Sequence, residues 1–295
     1  MKETLNEYKV GLMLGKKGDR ECYLAKRDDK TFCMKVITLM NDDEVAKTAI
    51  KNEIKILKKL QNHDNIITYE NSFLVSKFMV DKVVIITEEM PMNLKQYLEI
   101  NGGTLKEETC KRIAYQLLDA VEHCHLQKVI HQDIKLENIL INPKTLKTKL
   151  IDFGLSTSYK RSQDMKDLEY FKGTPIYANY EKLIESKYDG TKSDVWSCGV
   201  TIYKLITGKY PFGESANFFD ELVESIKKDQ VEFPKEVSPL LVDLLQNMLR
   251  KDQEFRYSAQ ECLRHPWFKI QSKSKPKKKF SNSSIVRLSS SPSLI

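Results

Sequence analysis

The hydrophobic period of this chain changes near Pro91. Before it, short apolar runs alternate with turn residues: Tyr8 to Leu14, Glu21 to Ala25 and Thr31 to Thr38. These predict strands joined by turns at Gly15–Arg20 and Lys26–Lys30. Ile66 to Tyr69, Phe73 to Val75 and Val83 to Thr87 predict further strands. One segment breaks the pattern. Ala46, Ala49, Ile50, Ile54, Leu57 and Leu60 recur at helical spacing. After Pro91 the period is helical, with predicted helices over Leu94–Glu99, Glu107–Gln127, Asp194–Thr207, Phe218–Lys227, Leu240–Leu249 and Ala259–Arg264. Short strands are expected around Ile139–Ile141 and Lys149–Ile151, and a long functional loop over 156–182. Strands first and helices afterwards mean an α+β chain: a small β-rich part with one main helix, then a larger helical part.

The formal charge of +7 is not spread over the 295 residues. Residues 269–295 hold six lysines, one arginine and no acid, so residues 1–268 balance to zero. That leaves nucleic acid unexpected as a partner except through the tail. The 269–295 segment is Ser- and Lys-rich and is expected to be disordered. Lys273–Lys279 offers a nuclear-import signal, a contact for an acidic surface or a solubilising tail. The longest clean aliphatic run, Val83 to Ile86, is too short to cross a bilayer, and Met1 to Glu7 carries no apolar leader. Six scattered cysteines with no Cys-x-x-Cys pair predict reduced thiols in an intracellular protein.

Two polar blocks lie between apolar stretches: His131-Gln132-Asp133-Ile134-Lys135-Leu136-Glu137-Asn138, then Asp152-Phe153-Gly154. The set suits phosphoryl transfer. Asp133 can receive a hydroxyl proton, Lys135 can hold the transferred phosphate, and Asn138 with Asp152 can bind Mg²⁺ through hard oxygens. The chain resembles the eukaryotic-type protein-kinase family, whose signature is HRDxKxxN followed by DFG. The signature's Arg is Gln132 here. The resemblance runs over roughly residues 8–268.

The resemblance implies a two-lobed kinase fold, with an N-lobe over about residues 8–90, a hinge near Glu88–Asn93 and a C-lobe over about 94–268. It implies a serine/threonine kinase using ATP with Mg²⁺, Mn²⁺ being the alternative ion. Lys35 takes the place of the phosphate-binding lysine and Glu53 the acid that positions it. Leu14, Gly15, Cys22, Cys33, Leu140 and the hinge residues Glu88 and Met90 fall at the nucleotide, with Thr87 at the gatekeeper position. Thr174 falls beside the acceptor residue. Glu181 pairs with Arg256, and Asp194 braces the catalytic loop. Glu137 occupies a position that often favours basic residues before the acceptor. Asp-Ile-Lys-Leu-Glu-Asn and His-Pro-Trp-Phe are similar to the calcium/calmodulin-dependent and AMP-activated-like group. A monomer acting on protein substrates, cytoplasmic and with nuclear access through the tail, is the expectation.

Two departures bear on activity. The pattern G-x-G-x-x-G overlays Gly15-Lys16-Lys17-Gly18-Asp19-Arg20, so only the first glycine matches. Lys17 and Arg20 either offer charge to phosphates or point into water. Gln132 cannot make the charge-assisted pair an arginine makes with a loop phosphate. Both favour a rival reading as a pseudokinase, an ATP-binding or scaffolding regulator. Lys35, Glu53, Asp133, Lys135, Asn138 and Asp152 oppose it. His123-Cys124-His125 invites a metal reading, but 123 and 125 do not share a helix face. A structural role at the helix end is the better expectation.

Overall fold

The computed structural model describes residues 4–39, 43–77, 80–160, 168, 171–185 and 187–269. The expected tail and its serines lie outside these residues, as does part of the 156–182 loop. The N-terminal lobe is one antiparallel sheet with a helix against it. Its strands are β1 (Thr4–Leu5), β2 (Tyr8–Lys17), β3 (Arg20–Arg27), β4 (Lys30–Leu39), β5 (Tyr69–Lys77) and β6 (Val80–Glu88), in the order β1-β2-β3-β4-β6-β5. Helix α1 (Glu44–Lys59) follows β4. The Asp43 side chain caps it by accepting from the Ala46 amide, and Lys58 and Lys59 suit its C-terminal dipole. Its inner face buries Ile50, Ile56, Leu57 and, against the usual rule, Glu53.

Strand alternation decides what faces the cleft. Phe32, Met34 and Val36 of β4 pack with Tyr8, Val84 and Ile86 on the outer face of the sheet. Cys33, Lys35 and Ile37 therefore point to the other face, toward the C-terminal lobe.

The C-terminal lobe runs through β7 (Met92–Asn93), α2 (Leu94–Ile100), α3 (Glu107–Leu126), β8 (Val129–Ile130), β9 (Ile139–Ile141), β10 (Thr148–Leu150) and β11 (Thr157–Ser158). Helices α4 (Tyr180–Ile184), α5 (Gly190–Thr207), α6 (Phe219–Lys228), α7 (Pro239–Met248) and α8 (Ala259–Arg264) complete it. Helix α5 is buried nearly all round, as its composition predicts. Asp189 caps its start, and Gly208, at φ 73°, ends it. One continuous core joins Ile37, Ile56 and Leu57 of the first lobe to Leu117, Phe153 and Val195 of the second. This is the two-lobed α+β architecture.

Two local expectations need correction. The Gly15–Arg20 turn is shorter than predicted, because ladder pairing continues through Lys16↔Glu21 and Lys17↔Arg20. The chain reverses on Gly18 and Asp19 alone. Gly18 has φ +58°, a conformation that favours glycine at the first central position of a tight hairpin. Ile66–Tyr69 is not a separate strand. Ile66 makes a single bridge to Leu150 and the strand begins at Tyr69. The apolar run is real, but its partner is the other lobe: Ile67 N donates to Leu150 O and Leu150 N to Asn65 O. No helix is long and apolar enough to cross a membrane, among the described residues.

Candidate active site

The catalytic loop between β8 and β9 is held from below by α5. Asp194, fully buried, accepts from the backbone N–H of His131 at 2.8 Å and of Gln132 at 2.9 Å. Its Oδ2 also meets His125 Nε2 at 3.0 Å. Burial pushes the Asp194 carboxyl up, but His125 and these donors outweigh it and hold it low. The bracing is needed, since Gln132 sits at φ 70°, a strained region for a residue with a side chain. His125 thus has a structural role, and His123 stacks on His63. Among the described residues, no group of three or more His, Cys, Asp or Glu is placed to hold a metal.

Asp133 is fixed on both oxygens. Oδ1 accepts from the Thr174 hydroxyl at 2.8 Å, while Oδ2 accepts from Lys135 Nζ at 2.7 Å and Asn138 Nδ2 at 2.9 Å. Lys135 also donates to Thr174 Oγ1 at 2.8 Å. Gly173 makes this approach possible. A Cβ there would lie 2.5 Å from the Gln132 carbonyl oxygen.

Across the cleft, Lys35 Nζ is 2.7 Å from Glu53 Oε1 and 3.1 Å from Asp152 Oδ1. Burial alone would depress the lysine. The two carboxylates overcome it and raise its pKa, and Lys35 in turn lowers Asp152 against the effect of burial. Asp152 adopts φ 63°, a second strained backbone at the site. The pair crosses from β4 to the segment after β10, so it fixes one lobe against the other.

Two cavities meet here. The inner one, about 170 Å³, is mostly apolar and includes Cys22, Cys33, Ile85, Thr87 and Leu140 in its lining. The outer one, about 880 Å³, opens past Gly15, Arg20 and Lys35 to Asp133, Asn138 and Glu137. Lys35, Asn138 and Asp152 border both. Leu14, Glu88 and Met90 lie outside these two linings. Leu14 is the extra residue where the β2–β3 register shifts, and it is 53% exposed. The Glu88 carboxylate turns toward β10, where Lys149 Nζ lies 2.6 Å away. Lys149 also donates to Ile66 O, so it ties the end of β6 to the C-terminal lobe.

Glu181 and Arg256 form an ion pair at 2.8 Å with almost no exposure on either side. Asn179 Nδ2 satisfies the second Glu181 oxygen at 2.7 Å.

A family model described as Protein kinase domain matches residues 8–268. The chain belongs to the protein kinase family. This kinase is 31% identical over 271 residues to CBL-interacting serine/threonine-protein kinase 13 of Arabidopsis thaliana, covering 90% of the chain and 52% of the relative. It is 36% identical over 219 residues to the protein kinase domain-containing protein ppk9 of Schizosaccharomyces pombe, covering 74% of the chain and 39% of the relative. It is 35% identical over 269 residues to putative sperm motility kinase W of Mus musculus, covering 91% and 51%. The chain spans about half the length of the curated relatives it matches.

Two site residues of this kinase, Lys182 and Lys149, lie outside its sequence blocks. Lys182 is buried just after Glu181, and its Nζ donates to the Gln132 carbonyl at 2.7 Å. Burial pushes its pKa down to about 8 despite Asp194 and Asp133 nearby. The Gln132 side chain donates to Thr157 Oγ1 at 2.6 Å and accepts from the Tyr188 hydroxyl at 3.2 Å. Neutral groups thus fill the place where a charge-assisted pair was missing. Lys149 is the second of the two. A cation in an apolar strand pattern was the available clue for it, and a lysine after a loop-ending glutamate for Lys182.

Proposed function

We propose that this chain is an ATP-dependent serine/threonine protein kinase. One observation carries the reading: Asp133, Lys135, Asn138, Asp152 and Lys35 converge on one cavity between the lobes, with Lys35 already paired to Glu53 and Asp152. In this reading the acceptor hydroxyl lies at Asp133, whose carboxylate is aimed by Thr174, Lys135 and Asn138. The hydroxyl oxygen attacks the γ-phosphorus, the bond to the β–γ bridging oxygen breaks, and the proton passes to Asp133. Lys135 meets the charge on the moving phosphoryl group, and Lys35 the phosphates left behind. Most of the work is positioning rather than covalent chemistry.

The donor set fits Mg²⁺. Asn138 spends its Nδ2 on Asp133, which leaves its side-chain carbonyl oxygen for an ion, and Asp152 lines the same cavity. Few protein oxygens suit an ion that takes its other ligands from phosphates and water. When bound, the ion neutralises phosphate charge.

Glu137 extends the reading to substrate. It lines the outer cavity near Tyr177 and Tyr210; Lys95 Nζ lies 3.4 Å from its Oε1, while its Oε2 is buried with no hydrogen-bond partner among the described residues. A basic side chain before the acceptor supplies that partner. The test is phosphorylation of paired Ser peptides with Arg or Ala before the acceptor, by wild type, Asp133→Asn and Glu137→Gln. The expected result is incorporation by wild type on the basic peptide, a loss of a hundred-fold or more in Asp133→Asn, and a lost preference in Glu137→Gln. Incorporation that is equal in wild type and Asp133→Asn contradicts the reading.

A further inference from the structure

The hairpin β2–β3 breaks a rule of strand pairing at its tip. Lys17 and Arg20 are direct cross-strand partners. Like charges directly opposite one another destabilise a ladder. The neighbouring pair, Lys16 and Glu21, obeys the rule on the other face, with Nζ to Oε1 at 2.8 Å. A local rule broken at one pair and kept at the next points to a function for the exception.

The register says where the two cations point. Cys22 lines the inner cavity and pairs with Gly15. Residues two apart on a strand share a face, so Arg20 and Lys17 share the cleft face with Cys22 and Gly15. The far end of Arg20 is located by Gly154. A Cβ built on that glycine would be 3.2 Å from Arg20 Nη1, 3.2 Å from Glu53 Oε2 and 3.4 Å from Asp152 Oδ1. The guanidinium therefore reaches from the hairpin tip to the Lys35–Glu53–Asp152 cluster. Its charge contributes to holding Asp152 ionised and opposes protonation of Lys35. Among the described residues it makes no hydrogen bond or ion pair, so its donors are not spent on the protein.

Charge balance sets its value. Lys35, Glu53 and Asp152 together carry one net negative charge, and Arg20 brings the cluster to neutral. A polyphosphate entering a net negative cluster is repelled. Glycines at a phosphate loop offer backbone N–H groups, but here the ladder through Lys16 and Lys17 and the bulk at positions 17 and 20 replace that device. A guanidinium is the side chain best suited to a phosphate in its place, because its fork matches two oxygens.

We propose that Arg20, with Lys17 opposite it, is the polyphosphate-binding element of this cleft, gripping the phosphates by side-chain cations where the family pattern has glycines. This rests on the nucleotide cleft read above, and its test separates the two. Equilibrium dissociation constants are measured by calorimetry for Mg²⁺–ATP, Mg²⁺–ADP, AMP and adenosine, with the full chain as wild type, Arg20→Gln, Arg20→Lys and Arg20→Gly. The expected result is ATP and ADP weakened about ten- to a hundred-fold in Arg20→Gln and Arg20→Gly, with a smaller loss in Arg20→Lys. Adenosine is expected to bind all four forms equally, which also shows that the variants fold. Restoring the glycine therefore loses affinity rather than gaining it.

Undiminished ATP binding in Arg20→Gln, or tighter binding in Arg20→Gly, overturns the proposal and leaves the nucleotide reading standing. An equal loss of adenosine and ATP also overturns it, since that is a structural effect. If wild type binds none of the four ligands, the proposal fails together with the reading it rests on.

Discussion

The ammonium group of Lys182 lies 2.7 Å from the backbone carbonyl oxygen of Gln132, while Asp194 accepts from the N–H of the same residue at 2.9 Å. Both polar groups of one strained residue are thus claimed from outside the catalytic loop. The next residue is Asp133. Any slack at Gln132 moves the carboxylate that receives the proton.

Lys182 holds this position against its own stability. Its pKa falls to about 8 in the fold, against about 10.4 for an unfolded lysine. The unfolded chain therefore binds more protons between those values, and stability rises with pH across that window. Below pH 8 the cost is fully present, on the order of 3 kcal/mol. Lys182→Met removes the charge, while leaving the Gln132 carbonyl without its donor costs about 1–3 kcal/mol. The expected outcome at pH 7 is an unchanged or higher Tm with kcat reduced at least about ten-fold. A Tm that falls along with kcat means Lys182 is merely structural.

Activity should depend little on phosphorylation of the activation segment. The Gln132 side chain carries no charge to offer a phosphate and is already satisfied by Thr157 and Tyr188. Phosphatase-treated protein, verified by mass spectrometry, is expected to keep kcat within about two-fold of the phosphorylated form. An inert dephosphorylated form that regains activity on loop phosphorylation sinks this prediction.

Cys22 should be the reactive thiol. Cys33 donates to it, and the charge of Lys35 adds to that effect, so its pKa is lowered although burial opposes the shift. Burial pushes Cys110, Cys124, Cys198 and Cys262 upward instead. Iodoacetamide labelling, mapped by peptide mass spectrometry, is expected first at Cys22, at a lower pH than an ordinary thiol, and slowed by ATP. Labelling at another cysteine first, or no protection by ATP, counts against this environment.

Breaking the Glu181–Arg256 pair should unfold the C-terminal lobe easily. Both side chains are buried, so Arg256→Ala strands a carboxylate at a cost of about 3–5 kcal/mol. A Tm lowered by on the order of 10 °C in calorimetry is expected. A shift below about 2 °C shows that the pair is worth no more than a surface bridge.

Much of this was legible in the sequence because the relevant signals are local. The alternation of β4 aims Lys35 into the cleft, and the helical period of 107–127 and 194–207 gives two of the core helices. What escaped depends on distant partners. Ile66 and Ile67 look like a strand until Leu150 arrives from the other lobe. Lys182 follows an ordinary glutamate, and only burial against Gln132 gives it a role. The hairpin tip is half legible for a different reason. The departure from the glycine pattern is plain in the sequence, but the direction of Lys17 and Arg20 depends on the ladder register and on Gly18 serving the turn.

The central claim is that Lys35, Asp133 and Asp152 form a working phosphotransfer site. Its most direct measurement is transfer of the γ-phosphate from Mg²⁺–ATP to a basic protein substrate by wild type, Lys35→Met and Asp152→Asn, with phosphoamino-acid analysis. The account predicts phosphoserine and phosphothreonine from wild type and a loss of at least about a hundred-fold in both variants. Equal incorporation by all three proteins, or none from wild type, contradicts it.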